Sequence, residues 1–306
     1  MLGKRKRQEK NKEETKDPKN LLARKYKHPR DKSILFDEGP HIYSVDWQND
    51  GKFSSDGIIS VTGFIHHGYF KEFDSDTVIA KMMSSKNWPK SKYFGMTKDE
   101  IQAQWKKAGD DACRLGTKMH AQIEYMYNGI PPEEPLSVEY KQFQPYAEYM
   151  SKKWLPFRTE WILRTDIEHK LTGTIDMLYM PKKESQRFTE CIAQDGTIRR
   201  TLHLRMADWK RSKKIRKHNP WNKGIGICCD LYDTNYFHYS LQLNTYKYIV
   251  ERFYKNIIID GVLCHDIIID DMFLIVMHPE TRKEYGEYQV PNFQSKIKLM
   301  MDARAG

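Results

Sequence analysis

Long hydrophobic runs are missing from this sequence. No stretch approaches the roughly 20 apolar residues of a membrane-spanning helix, and no secretory signal opens the chain, so the expectation is a soluble intracellular protein with no membrane partner. Cysteine is scarce. Cys113, Cys191, Cys228, Cys229 and Cys264 are odd in number and lack zinc-type pairing, which argues against a disulfide framework and suits reduced thiols in a reducing compartment. No internal repeat is apparent, and nothing marks a second domain. What is present is a 306-residue chain with 39% hydrophobic residues, enough to bury one sizeable core.

The net charge of +10 is mostly local. Residues 1–32 carry 13 Lys or Arg against 5 acids, which leaves only +2 for the rest of the chain. This stretch, opened by Lys4-Arg5-Lys6-Arg7, lacks apolar periodicity and is expected to be a disordered basic tail. A nuclear import signal, a non-specific phosphate-binding arm and a plain solvated leader all fit it. Residues 33–306 are expected to form one domain. It would begin with strands at Ile42–Asp46 and Ile58–Thr62 and continue helically from Asp76 to Tyr127.

Two later strands carry charge where an ordinary strand has no need of it. Leu171 to Tyr179 is β-branched and aromatic, with Asp176 inside it. His203 to Lys210 repeats the pattern, and period-two alternation sets Asp208 and Lys210 on one face. Asp195-Gly196 marks a turn between the strands, which lets Asp176 and Asp208 meet on neighbours. Two facing carboxylates become compatible when Mg²⁺ or Mn²⁺ lies between them, and such an ion can polarise a phosphodiester and acidify bound water. Taken alone, Asp-x-Lys is equally an exposed salt bridge on an edge strand.

The helical stretches add further groups. Thr97 and Glu100 form a capping-box pattern before a helix with Ile101 and Trp105. A next helix places Ala112, Leu115, Met119, Ile123 and Met126 on one stripe, with His120 and Glu124 on another. A helix at 136–154 and a strand at Arg158–Arg164 precede the acids; Glu160 in that strand reads either as a further site acid or as a surface acid. After Lys210 comes a basic run with Trp221, which suits single-stranded nucleic acid or a solvated loop. Gln242 and Tyr246 stand one turn apart on a helix from about Tyr239 to Tyr254. Strands at Met272–Met277 and Glu284–Val290 and a helix from Asn292 close the chain.

In order, Gly116-Thr117-x-x-His120-x-x-x-Glu124, Gly173-x-x-Asp176, Asp208-Trp209-Lys210-Arg211-Ser212 and Gln242-x-x-x-Tyr246 resemble the motifs of the PD-(D/E)XK nuclease superfamily. The likeness is to its RecB-like branch, which includes the mitochondrial genome maintenance exonucleases, and it spans roughly residues 57–290. It implies an α/β fold, a central mixed sheet flanked by helices with a restriction-endonuclease-like core. It also implies a metal-dependent nuclease, with an exonuclease on single-stranded DNA ends in replication, recombination or repair as the first reading. A structure-selective endonuclease and an inactive nucleic-acid-binding module are the alternatives.

By the same resemblance, His120, Asp176, Asp208 and the Trp209 carbonyl bind Mg²⁺ or Mn²⁺, the histidine favouring Mn²⁺. Lys210 assists the attacking water, Gln242 steadies the phosphate with Tyr246 packed beside it, and Glu124 supports His120. Ser60, Thr62, Arg211 and Ser212 fall along the nucleic-acid path. Some members hold an iron–sulfur cluster on one early and three late cysteines; only Cys228-Cys229 approaches that spacing, so no cluster is expected.

Overall fold

The computed structural model describes residues 20–305 apart from Glu38 and Arg282. The Lys4–Arg7 cluster lies outside the described residues, but residues 20–32, assigned from composition to the disordered tail, are folded. Helix α1 (Leu21–Lys25) and a 3-10 turn (Pro29–Ser33) bury Leu22 and Tyr26. Composition misleads here because much of the docking is polar. Arg158 donates to the Tyr26 carbonyl and to Asp31, each at 2.9 Å, and the Trp161 indole donates to the other Asp31 oxygen at 2.9 Å. The His28 ring meets the Lys255 carbonyl at 3.0 Å. Removing the Asp31 carboxylate strands a buried guanidinium, so Asp31→Ala should cost about 3 kcal/mol, read as a lower denaturant midpoint. A loss under about 1 kcal/mol would show that this segment does not hold Arg158.

A hairpin of β1 (Ile34–Asp37) and β2 (Ile42–Val45) follows. The strand expected through Thr62 is only β3 (Ile59–Ser60), because the Ser60 hydroxyl accepts from Gly63 N at 3.0 Å and caps α2 (Val61–Tyr69). Next come α3 (Ser75–Met83) and α4 (Lys98–Tyr127). The two helices expected before Tyr127 are one helix of 30 residues, started by the Thr97–Glu100 capping box. Gly109 alone does not break it, since a mid-helix glycine costs only about 1 kcal/mol.

Helix α5 (Val138–Ser151) leads into β4 (Trp154–Arg164), β5 (Leu171–Pro181), the short α6 (Glu184–Arg187), β6 (Phe188–Ile192) and β7 (Ile198–Arg211). The Asp195-Gly196 turn joins β6 to β7. After α7 (Asn235–Phe253) come β8 (Ile257–Ile259), β9 (Val262–Cys264), β10 (Asp266–Met277), β11 (Gly286–Gln289) and α8 (Gln294–Ala305). Four of these strands, β1, β6, β8 and β9, were not anticipated from sequence.

The fold is α/β, with a mixed sheet of seven strands in the order β11-β10-β7-β5-β3. β4 pairs along β5, and β6 along the start of β7. Alternation sorts the two faces. Leu202, Leu204 and Met206 pack with Leu241, Ile249 and Val250 of α7, while Ala207 and Trp209 pack with Met119 and Ile123 of α4 and Phe143 of α5. Asp208 and Lys210 therefore belong to the α7 side. Among the described residues no helix is long and apolar enough to cross a membrane.

Candidate active site

Antiparallel pairing between β5 and β7 is confined to three residue pairs and ends at Met177 opposite Ala207. One step further on the same register, Asp176 stands opposite Asp208. There the Asp176 Oδ2 accepts from Trp209 N at 2.7 Å, so a side chain takes over from backbone pairing where the acids meet. Asp176 is 9% exposed and Asp208 3%. Burial raises both carboxyl pKa values above the usual range. For Asp176, His120 opposes the rise and Glu160 adds to it; for Asp208, Lys210 opposes it and Asp176 adds to it, with a net value of about 6.

Lys210 Nζ lies 2.7 Å from Asp208 Oδ2, an ion pair by distance. That enclosed oxygen faces the ammonium, and no other hydrogen-bond donor reaches it among the described residues. Burial would lower the lysine pKa, but Asp208 and Asp176 outweigh it, and Lys210 stays a firm cation. From α7, Tyr239 presents its ring 4.7 Å from Lys210 Nζ, and Gln242 Oε1 accepts from the ammonium at 3.5 Å. The Gln242 amide then donates to Tyr246 Oη at 3.1 Å and to Thr62 Oγ1 at 3.5 Å.

His120 reaches the same spot from the opposite face of the sheet. Its Nε2 lies 3.1 Å from the Trp209 carbonyl, and its Nδ1 3.5 Å from Glu160 and 3.7 Å from Asp176. Burial would lower its pKa, but Asp176 and then Glu160 raise it to about 9. The sequence left Glu160 open between a site acid and a surface acid, and its carboxylate lies with His120 and Asp176. Its neighbours Thr159 and Trp161 stay in register with β5, yet Glu160 itself has φ +43°, a left-handed geometry that costs a non-glycine residue on the order of 1–3 kcal/mol. One ligand atom from each of His120, Glu160 and Asp176 lies within 4.8 Å of the others; Asp208 sits beside this triple, on Lys210.

Gly173 has a physical reason to be glycine. A Cβ there would meet the Tyr246 ring at 2.6 Å and its hydroxyl at 3.0 Å, and Tyr246 is itself buried. The Gly173-x-x-Asp176 and Gln242-x-x-x-Tyr246 motifs are therefore one packing unit. Gly173→Ala should cost about 2 kcal/mol, within the range for overpacking, and should push Gln242 off Lys210. A melting temperature equal to the parent's would show that the ring yields freely.

The residues assigned to the nucleic-acid path separate. Thr62 borders the site through Gln242, and Ser60 is spent on capping α2. Arg211, expected on that path, has its guanidinium bound to Glu139 of α5 at 2.6 Å, with both side chains largely buried. Ser212 turns back on the chain, its hydroxyl donating to the Lys214 carbonyl at 3.2 Å and its amide to Met277 at 3.1 Å.

With the site described, the chain can be set beside known proteins. A scan against protein-family models found no match, and no curated protein matches the sequence.

Proposed function

We propose that this chain is a metal-dependent nuclease that hydrolyses DNA phosphodiester bonds, working as an exonuclease on ends, with Mg²⁺ or Mn²⁺ as its cofactor. The observation that carries the reading is the convergence of Asp176, Asp208, Lys210 and His120, from three separate elements, at the point where the sheet opens. The resemblance of the four ordered motifs to the RecB-like nucleases supports it.

The residues fit a divalent ion. Asp208 is buried, with Lys210 the one cation against its Oδ2 among the described residues, and Asp176 stands opposite it on the neighbouring strand. His120, Glu160 and Asp176 each bring one ligand atom within 4.8 Å of the others, and the Trp209 carbonyl lies 3.1 Å from the same imidazole. His120, Asp176, Asp208 and the Trp209 carbonyl would hold the ion, with Glu160 as a further carboxylate beside them. The bound ion would polarise the scissile phosphate and lower the pKa of its water. To serve as a ligand His120 would have to be neutral, so metal uptake would be coupled to loss of its proton. The Trp209 amide fixes Asp176, and Asp208 holds Lys210 toward the charge that develops on the phosphate. Gln242 bridges Lys210 and Tyr246 at the same edge, placed to steady a phosphate oxygen.

The test is a time course with end-labelled linear and circular single strands, duplex DNA and RNA, with Mg²⁺, Mn²⁺ or EDTA. Mononucleotide ladders from linear DNA that vanish in EDTA are expected. Cutting of circles would turn the reading to an endonuclease, and no cutting with either metal would turn it to a binding module.

A further inference from the structure

The strand that carries Lys210 and the helix that carries Gln242 are joined by residues 212–234. At the tip of this segment Trp221 is 88% exposed, more than any other large apolar side chain among the described residues. A slack loop is not the reason. The Asn219 side chain accepts from the amides of Trp221 at 3.1 Å and Asn222 at 3.3 Å, and donates to the Asp233 carbonyl at 2.8 Å. Lys223 and Tyr232 bridge the two arms of the segment. Gly224 packs so closely on the return arm that a Cβ would meet the Cys228 carbonyl at 2.6 Å. Ile225 N donates to the Tyr69 carbonyl at 2.8 Å, which ties the segment to α2, the helix whose first turn sets Thr62 against Gln242. The indole is held out in water on a braced support tied to α2.

The same segment carries cations with no acid partner among the described residues. Arg211 is bound to Glu139 and Lys213 to Glu280 at 2.5 Å, but Lys214, Arg216, Lys217 and Lys223 have no ion pair among the described residues. The two acids of the segment are engaged elsewhere, Asp230 with Lys296 at 2.7 Å and Asp233 with His238 at 2.9 Å. Cations bind any polyanion, but an exposed ring adds selectivity for a polyanion with free π faces. Duplex DNA hides those faces in its stack, and an acidic peptide lacks them.

We propose that Trp221 with Lys214, Arg216, Lys217 and Lys223 is a binding surface for single-stranded nucleic acid, one base stacked on the indole and the flanking phosphates on the cations. That it feeds the centre at Lys210 rests on the nuclease reading; the binding itself does not.

The test measures binding of the full chain in EDTA, where cleavage plays no part. The probes are a fluorescent oligo-dT, an abasic strand of equal length, a duplex and heparin. Trp221→Ala should weaken oligo-dT binding roughly ten- to a hundredfold, the range for one lost stacking contact, Trp221→Phe should retain most of the affinity, and the abasic strand and heparin should bind both variants alike. A loss under threefold on oligo-dT would overturn the proposal. An equal loss on oligo-dT, heparin and the abasic strand would also overturn it, pointing to an acidic partner held by charge. If Trp221-dependent binding is found while the parent cleaves nothing in Mn²⁺, the nuclease reading falls and this surface stands. The reverse pair of results removes the surface alone.

Discussion

Asp208→Asn should abolish metal-dependent cleavage and, in the same protein, the thermal stabilisation given by Mn²⁺. Asparagine keeps the size of the side chain in a position that is 3% exposed, so the metal-free fold should survive. What disappears is the charge. Loss of an outer-shell partner of a metal ligand typically costs 10- to 100-fold in metal affinity or activity; loss of a ligand itself should cost more than about a hundredfold. Lys210 loses its nearest counter-charge in this variant but keeps Asp176, so no buried cation is left without an acid. Equal Mn²⁺ stabilisation of parent and Asp208→Asn would place the ion elsewhere.

Lys210→Ala should be a kinetic lesion. The ammonium sits against Asp208, Gln242 and the Tyr239 ring, held cationic by two acids, and a cation cannot ligate a metal. In a nuclease centre its partner would be the charge that grows on the scissile phosphate, which exists only in the transition state. The cleavage rate should fall by at least about two orders of magnitude, while single-strand affinity measured in Ca²⁺ stays within a few fold. Metal affinity should hold or rise, because Asp176 and Asp208 lose a competing cation. A variant that loses binding but keeps its rate would make Lys210 a docking residue.

Local spacing carried much of the site. Period two put Asp208 and Lys210 on one face, helical period put Gln242 beside Tyr246, and the Thr97–Glu100 box marked the start of α4. Tertiary facts were harder to read. Gly173 matches a motif in sequence, but only the Tyr246 ring explains why a side chain is excluded there. Glu160 looked like either kind of acid because its neighbours at the site, His120 and Asp176, come from other elements. Arg211 looked like part of a basic run because its partner, Glu139, lies 72 residues earlier in the chain. Leu22, Tyr26 and Asp31 were hidden among charges, since a short segment can dock through a few buried side chains and well-placed hydrogen bonds without showing any apolar period.

The most direct measurement follows release of label from single-stranded DNA marked at either end, by purified parent and purified Asp208→Asn side by side, with Mn²⁺ and with EDTA. If Asp176, Asp208, His120 and Lys210 form a metal-dependent nuclease centre, label is released only by the parent and only with metal. Intact strands in every lane, or equal release by Asp208→Asn, would contradict it.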